Sequence, residues 1–87
     1  MKTDSHEANE TPPHVVLYTR QGCHLCDDAR VLLERHGLRP TCVDVDADPQ
    51  LRERFNDCVP VVEIDGKIRF RGRVEPRLLQ RLLRRCN

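Results

Sequence analysis

The chain has 87 residues, which is enough for one small domain and leaves little room for a second module. Lysine and arginine total 15 against 14 aspartate and glutamate, so the formal net charge of +1 gives no reason to expect binding to nucleic acid or to an anionic membrane. No apolar run approaches the roughly 18 residues of a membrane span, and the opening residues lack the apolar core of a signal peptide, so we expect a cytoplasmic protein.

The first 13 residues differ in composition from the rest of the chain. They are polar, show no apolar periodicity and end in a Pro-Pro pair. Such a segment cannot bury enough apolar surface to order itself, which predicts a flexible N-terminal tail over residues 1–13. The folded domain is therefore expected to span residues 14–87.

A strand and a helix are predicted on either side of a turn that leads into two cysteines. His14–Thr19 (HVVLYT) is a nearly continuous β-branched and aromatic run, typical of a central strand covered on both faces. A helix is predicted from the cysteine pair to Gly37, with Pro40 just beyond as a further stop signal. The apolar face of this helix comprises Leu25, Ala29, Leu32, Leu33 and His36.

A second strand and a short helix follow. Thr41–Asp46 alternates between polar and apolar residues, which predicts a strand. Asp48 and Pro49 are suited to the N-cap and first turn of a helix that holds Leu51 and Phe55 on one side. The pattern up to this point indicates a βαβ unit followed by another helix.

The last third of the chain predicts a hairpin and a final helix. Asp65-Gly66 is a strong turn signal between two β-rich runs, in the second of which Ile68 and Phe70 alternate with charged residues. Pro76 opens an amphipathic helix with arginines opposite its apolar face. That face comprises Leu78, Leu79, Leu82, Leu83 and Cys86.

The five cysteines do not form the even, dense pattern of a small secreted protein, so most should be thiols in a reducing compartment. Cys23 and Cys26 are separated by two residues at the start of the first helix. A sulfur at position 23 gains hydrogen bonds and the positive end of the helix dipole, which favours the nucleophilic thiolate. Cys26, one turn further on, can attack a mixed disulfide formed at Cys23.

Residues near the pair are candidates for tuning or extending the site. Arg20 and His24 can place positive charge or a donor near Cys23. Cys58 precedes the Val59-Pro60 pair and is a candidate auxiliary thiol, whereas Cys42 and Cys86 are predicted to pack as small apolar residues. The alternatives are that the pair only packs or that it binds metal. A structural zinc ion binds four ligands, and only Cys58 and His24 could join Cys23 and Cys26 in such a site.

The element order β-α-β-α-β-β-α, with "CHLC" after the first strand and Val59-Pro60 opening the third, resembles the thioredoxin fold in its glutaredoxin form. The match spans roughly His14 to Cys86 and includes the hairpin before the last helix. The resemblance implies an α/β fold with a four-stranded mixed sheet in the order 2-1-3-4 and helices on both faces. It also implies a cis Val59-Pro60 peptide that offers main-chain hydrogen bonds to an extended substrate.

The resemblance further implies a thiol–disulfide oxidoreductase, expected to be a monomer, in which Cys23 is the nucleophile and Cys26 the resolving thiol. It would reduce protein or small-molecule disulfides, hold no metal or tightly bound cofactor, and draw electrons from glutathione or from a thioredoxin-reductase-like enzyme. Arg20 matches the basic residue that meets a glutathione carboxylate, and Val59 matches its backbone partner.

Three departures from the glutaredoxin pattern bear on this function. The chain has "CHLC" where Cys-Pro-Tyr-Cys is usual, "CVP" where threonine precedes Val-Pro, and "RGRVEP" where a Gly-Gly-x-Asp stretch receives glutathione. Weak use of glutathione is therefore expected. Two other hypotheses stay open: a metal or iron–sulfur cluster carrier that uses Cys23, and a redox-inert binding module that retains the fold.

Overall fold

The computed structural model of the protein describes residues 13–55 and 58–86. Their element order confirms the predicted β-α-β-α-β-β-α arrangement, while the predicted tail, up to residue 12, lies outside the described residues. A short 3₁₀ helix, Val45–Ala47, follows the second strand. The strands and helices are β1 (Val15–Thr19), α1 (His24–Arg35), β2 (Thr41–Asp44), α2 (Pro49–Phe55), β3 (Val61–Ile64), β4 (Lys67–Arg71) and α3 (Pro76–Cys86).

The four strands form one mixed sheet in the order β2-β1-β3-β4, as the resemblance implied. β1 runs parallel to β2 and antiparallel to β3, and β3 pairs antiparallel with β4. β1 is therefore central. Its alternating side chains supply Val15 and Leu17 to one face of the sheet and Tyr18 to the other, which accounts for its almost unbroken apolar sequence.

Helices cover both faces of the sheet. α1 and α3 pack on one face over a larger core, and α2 packs on the other over a smaller core. The larger core contains Val15, Leu17, Ala29, Leu33, Leu38, Val62, Ile64, Phe70, Val74 and Leu79. The smaller core contains Val45, Phe55 and Val61. No helix in the described part of the chain is both long and apolar enough to cross a membrane.

The segment between β2 and α2 shows why the second strand is shorter than predicted. The Asp44 side chain accepts a hydrogen bond from the Asp46 backbone N–H at 2.9 Å. This local turn starts the 3₁₀ helix, so the strand ends at Asp44 and not at Asp46. The predicted cap of α2 is confirmed, because Asp48 Oδ1 accepts the Gln50 N–H at 2.9 Å and Pro49 is the first helical residue.

The hairpin between β3 and β4 is confirmed at the predicted turn, but its second strand departs from simple alternation. Asp65 and Gly66 both have positive φ, at 51° and 84°, as a tight hairpin turn requires. In β4 the register shifts, so that Arg69 is an extra residue between Phe70 and Ile68. Strict alternation would put Ile68 and Phe70 on one face, whereas the bulge sends Phe70 to the larger core and Ile68 to the smaller.

Three residues predicted to be buried are exposed. Leu25 is 51% exposed because Cys26, the next residue, takes the inward position of α1. Leu78 is 47% exposed for the same reason, since its neighbour Leu79 is fully buried. Cys42 is exposed because β2 is an edge strand on which only Val43 is half-buried. The prediction for Cys86 falls on a side chain outside the described residues.

Candidate active site

The turn from β1 into α1 holds Cys23 at the N-cap of the helix. Gly22 occupies the left-handed region with φ of 77°, which glycine adopts without strain, and the Cys23 N–H donates to the Arg20 carbonyl at 3.3 Å. Cys23 is itself extended, and its Sγ accepts the Cys26 backbone N–H at 3.1 Å. The sulfur thus lies against the unpaired N–H groups of the helix, where negative charge is stabilised.

Cys23 and Cys26 form a disulfide, with Cα atoms 5.2 Å apart. The two residues differ in exposure, since Cys26 is only 3% exposed and Cys23 is half-buried. An incoming thiol or disulfide can therefore approach the sulfur of Cys23 more readily than that of Cys26. This inequality suits an attacking thiol at the helix start and a covered thiol one turn later.

Arg20 forms a two-pronged ion pair with Asp46. Its Nε lies 3.0 Å from Asp46 Oδ2 and its Nη2 lies 3.1 Å from Oδ1, with side chains 30% and 38% exposed. The pair joins the end of β1 to the 3₁₀ helix, because the carboxyl ends of parallel β1 and β2 meet at one edge of the sheet. The sequence interpretation missed Asp46 by assigning it to a strand, although parallel strand ends are the signal that finds it.

Val59-Pro60 forms a cis peptide, as the resemblance implied. Pro60 is fully buried, and its carbonyl accepts the Gly72 N–H at 2.7 Å. The antiparallel register pairs Tyr18 with Val61, and its continuation sets Pro60 beside Thr19. The fold thus brings this segment to the same edge of the sheet as the turn that carries Cys23.

Cys58 and His24 occupy different surroundings near this edge. Cys58 is a half-buried free thiol that packs against the smaller core, and its N–H donates to the Phe55 carbonyl at 3.0 Å. His24 is exposed at the first position of α1. The role of Cys58 as an auxiliary thiol of the pair stays a prediction.

A groove of about 200 Å³ borders the cysteine pair between α1 and the segment that leads into α3. Leu25, Leu32 and Val74 contribute apolar surface, and Asp28 and Arg73 contribute charges of opposite sign. Leu25 lies between the two cysteines in sequence, so one lining residue of the groove is adjacent to both members of the pair. The sequence interpretation missed this groove because it placed Leu25 in the core.

Tyr18 links β1 to β3 on the face covered by α2. Its hydroxyl donates to Glu63 Oε1 at 3.2 Å, and its ring centroid is 4.8 Å from that of Phe55. Burial, followed by the negative charge and hydrogen bond of Glu63, raises the pKa of Tyr18 above the usual 10.0, while Arg54 opposes the shift. The phenol therefore stays protonated and fixes the strand that leads to the site.

The described residues contain no group of three or more His, Cys, Asp or Glu that could hold a metal ion. The cysteine pair by itself supplies two sulfur ligands, and neither Cys58 nor His24 completes a set with it. The donors of a single described chain therefore do not fit a structural zinc site, which uses four ligands.

Comparison with known proteins assigns a family to most of the chain. The family model of the glutaredoxin-like domain (DUF836) matches residues 14–84. No curated protein sequence matches the chain significantly.

Several solved structures share the fold. The X-ray structure of target protein XcR50 from X. campestris has a TM-score of 0.70 and 29% identity, covering 82% of this chain and 96% of its own. The solution structure of protein Ne2328 from Nitrosomonas europaea has a TM-score of 0.68 and 26% identity, covering 83% and 92%. The glutaredoxin grx-1 from Archaeoglobus fulgidus has a TM-score of 0.61, covering 87% and 91%, and at 19% identity it supports the fold alone.

Proposed function

Because the chain belongs to the glutaredoxin-like domain family, we propose that it is a thiol–disulfide oxidoreductase that reduces disulfides through Cys23 and Cys26. The observation that carries this proposal is the disulfide between a half-buried cysteine at a helix N-cap and a buried cysteine one turn later. A bond that closes so short a loop restrains little chain entropy, and it opens and closes more readily than a structural bridge.

The reaction divides between the two sulfurs. In the reduced protein, the Cys23 thiolate attacks one sulfur of the client disulfide, forms a mixed disulfide and releases the first client thiolate. Cys26 then loses its proton and attacks the Cys23 sulfur, which closes the internal disulfide and releases the second client thiolate. Two electrons pass from the dithiol to the client, and an external thiol reductant returns the internal disulfide to two thiols.

The proposed client is a disulfide-bearing protein. The groove lined by Leu25 offers apolar surface next to the cysteine pair in sequence. The Val59-Pro60 segment lies at the same sheet edge as the turn that carries Cys23, where an extended chain can pair with it. We propose that the protein is a monomer in the cytoplasm. We also propose that His24 donates a hydrogen bond near Cys23. A thioredoxin-reductase-like enzyme or glutathione is the proposed reductant.

Glutathione is proposed as a weak co-substrate only. Arg20, the residue that resembles the carboxylate-binding position, already has its guanidinium on Asp46, so a glutathione carboxylate would have to compete with that carboxylate. The test is turnover of a glutathione mixed disulfide by the wild type and by Arg20→Ala. We expect slow turnover that changes little in the variant. Efficient turnover that is lost on Arg20→Ala would contradict this part of the proposal.

The test of the main proposal traps the intermediate. Reduced Cys26→Ser protein is mixed with a protein disulfide, and mass spectrometry is used to locate any mixed disulfide. We expect it to accumulate at Cys23, because the resolving thiol is absent. Cys42→Ser is the matched control, since it removes an exposed thiol on β2 and should leave turnover unchanged. Absence of the trapped species in Cys26→Ser, together with faster alkylation of Cys26 than of Cys23 in the reduced wild type, would reverse the roles.

A further inference from the structure

The charges of the chain are divided between two regions. Residues 67–86 contain eight lysines and arginines and a single acidic residue, Glu75, a net charge of +7. The rest of the chain therefore carries −6, and the total of +1 conceals the division. A near-zero net charge does not prevent one face of a protein from presenting a strong local field.

A groove of about 290 Å³ lies on the basic region, between β4 and α3. Its apolar part comprises Phe70, which is buried, Leu82, which is half-buried, and Leu78, whose side chain is 47% exposed. Arg69 and Arg81 are exposed and line the same space. We call these five residues the α3 groove; it shares no residue with the groove beside the cysteine pair.

The positive charge continues from the α3 groove along the helix. Arg77, Gln80, Arg81 and Arg84 line a second depression of about 250 Å³, and their spacing puts them in one stripe on α3. Within residues 13–55 and 58–84, whose side chains are described, none of these arginines forms an ion pair. An apolar groove is thus flanked by cations that the described residues leave unneutralised.

We propose that the α3 groove binds an acidic segment of a partner protein, which seats an apolar side chain against Leu78 and places carboxylates on the arginine stripe. An interface of this kind combines a desolvated apolar anchor with charge complementarity, which supplies specificity and a fast association rate. A nucleic acid fits less well, because the apolar lining offers nothing to phosphate and Phe70 is too buried to stack on a base. The proposal does not depend on the redox chemistry.

The test uses the full chain in its oxidised form and a synthetic probe. The probe is a short peptide rich in glutamate with leucines along one helical face, added to isotope-labelled protein while backbone NMR resonances are followed. We expect shifts confined to β4 and α3, and an affinity that falls as salt is added because the carboxylate contacts are exposed. Two control peptides replace either the leucines by serine or the glutamates by glutamine, and both should bind at least about fivefold more weakly.

Two variants with matched controls locate the site. Arg81→Glu should weaken binding of the glutamate–leucine peptide about tenfold, and Leu78→Ser about fivefold. Arg39→Glu and Val31→Ser make the same changes at exposed positions outside the α3 groove, so each should change the dissociation constant less than about twofold. All four side chains are exposed, so the variants should fold, and the same spectra check this.

Several results would overturn the proposal. If the three peptides bound equally well, or if the control variants lost as much affinity as Arg81→Glu and Leu78→Ser, the binding would be non-specific and the α3 groove would not be its site. Tighter binding of an oligonucleotide of the same charge would assign the surface to nucleic acid. If the Leu78 resonance shifted with protein concentration in the absence of peptide, a second copy of the chain would occupy the α3 groove. If it shifted when Asp4, Glu7 and Glu10 were replaced by neutral residues, the chain's own first residues would occupy it.

Discussion

The disulfide end of the molecule and the α3 groove differ in how their reactive and charged groups are partnered. At the disulfide end, Cys23 Sγ receives a backbone N–H from Cys26, and Arg20 is held by Asp46. In the α3 groove, among the described residues, Arg69 and Arg81 have no ion-pair partner. The first region thus partners its polar and charged groups internally, whereas the second leaves its charges available to another molecule.

The two regions also correspond to two separate tasks of a small domain: reacting with a client and selecting a partner. In the proposed reaction, the cysteine pair would attack any disulfide that reaches it, so its chemistry would carry little discrimination by itself. A remote surface that combines an apolar anchor with fixed charge can favour one partner over another without touching the reacting sulfurs. Variants in one region should therefore leave the properties of the other unchanged.

The largest effect should come from Cys23→Ser, which should abolish the function of the disulfide end and leave that of the α3 groove unchanged. Turnover of a protein disulfide should fall by about a thousandfold or more, because the attacking thiolate is lost. Binding of the glutamate–leucine peptide should stay within about twofold of the wild type, because serine alters no charge near α3. Turnover is followed by thiol release. Retention of more than about a tenth of the activity would mean that another thiol attacks.

Leu79→Ala should test how firmly α3 is anchored to the larger core. Leu79 is fully buried there, so the truncation should lower the free energy of unfolding by about 2–5 kcal/mol. Leu78→Ala, one residue away and exposed, should change it by less than about 0.5 kcal/mol. Urea unfolding of the oxidised proteins measures both. Similar losses in the two variants would mean that Leu78 also packs in the core.

Asp46→Asn should measure the ion pair at the disulfide end. Both partners are about a third exposed, so the loss of unfolding free energy should stay below about 1 kcal/mol and shrink in concentrated salt. Asp48→Asn is the matched control, because it changes the charge equally and asparagine can also cap α2. If the control lost as much stability as Asp46→Asn, the effect would belong to net charge and not to Arg20.

The smallest effect should appear at high pH through Tyr18, the single tyrosine of the chain. Its pKa is raised in the folded protein, chiefly by burial and then by Glu63, so the unfolded chain ionises first. Stability should therefore be unaffected below pH 10.0 and decline as the pH rises from there through the folded pKa. The phenolate absorbance gives the pKa, and Tyr18→Phe should remove this part of the decline. A folded pKa at or below 10.0 would contradict the assignment.

The parts of the fold that could be predicted are those set by neighbours along the chain. Asp48 and Pro49 start α2, Asp65-Gly66 forms the hairpin turn, and the helix start puts Cys23 at an N-cap, because these features depend on a few adjacent residues. The strand order and the cis Val59-Pro60 peptide followed from the family resemblance and not from local rules.

The features that could not be predicted depend on residues far apart in sequence. The Arg20–Asp46 pair needs the parallel pairing of β1 with β2, and the exposure of Leu25 depends on which neighbour faces the sheet. The α3 groove requires β4 and α3 to meet, and a count of charges over the whole chain averages its arginines with distant aspartates. Periodicity identifies the apolar side of a helix, but it does not decide which of two adjacent apolar residues, such as Leu78 and Leu79, faces the core.

The bulge in β4 has a consequence for the solubility of the protein. β4 is an edge strand, and an edge presents unpaired backbone groups to which a strand of another molecule can add. The extra residue at Arg69 interrupts the regular spacing of those groups, and Lys67 and Arg71 place further positive charges along the same strand. Two such edges repel each other and do not match in register, so this side of the sheet is protected against self-association into larger aggregates.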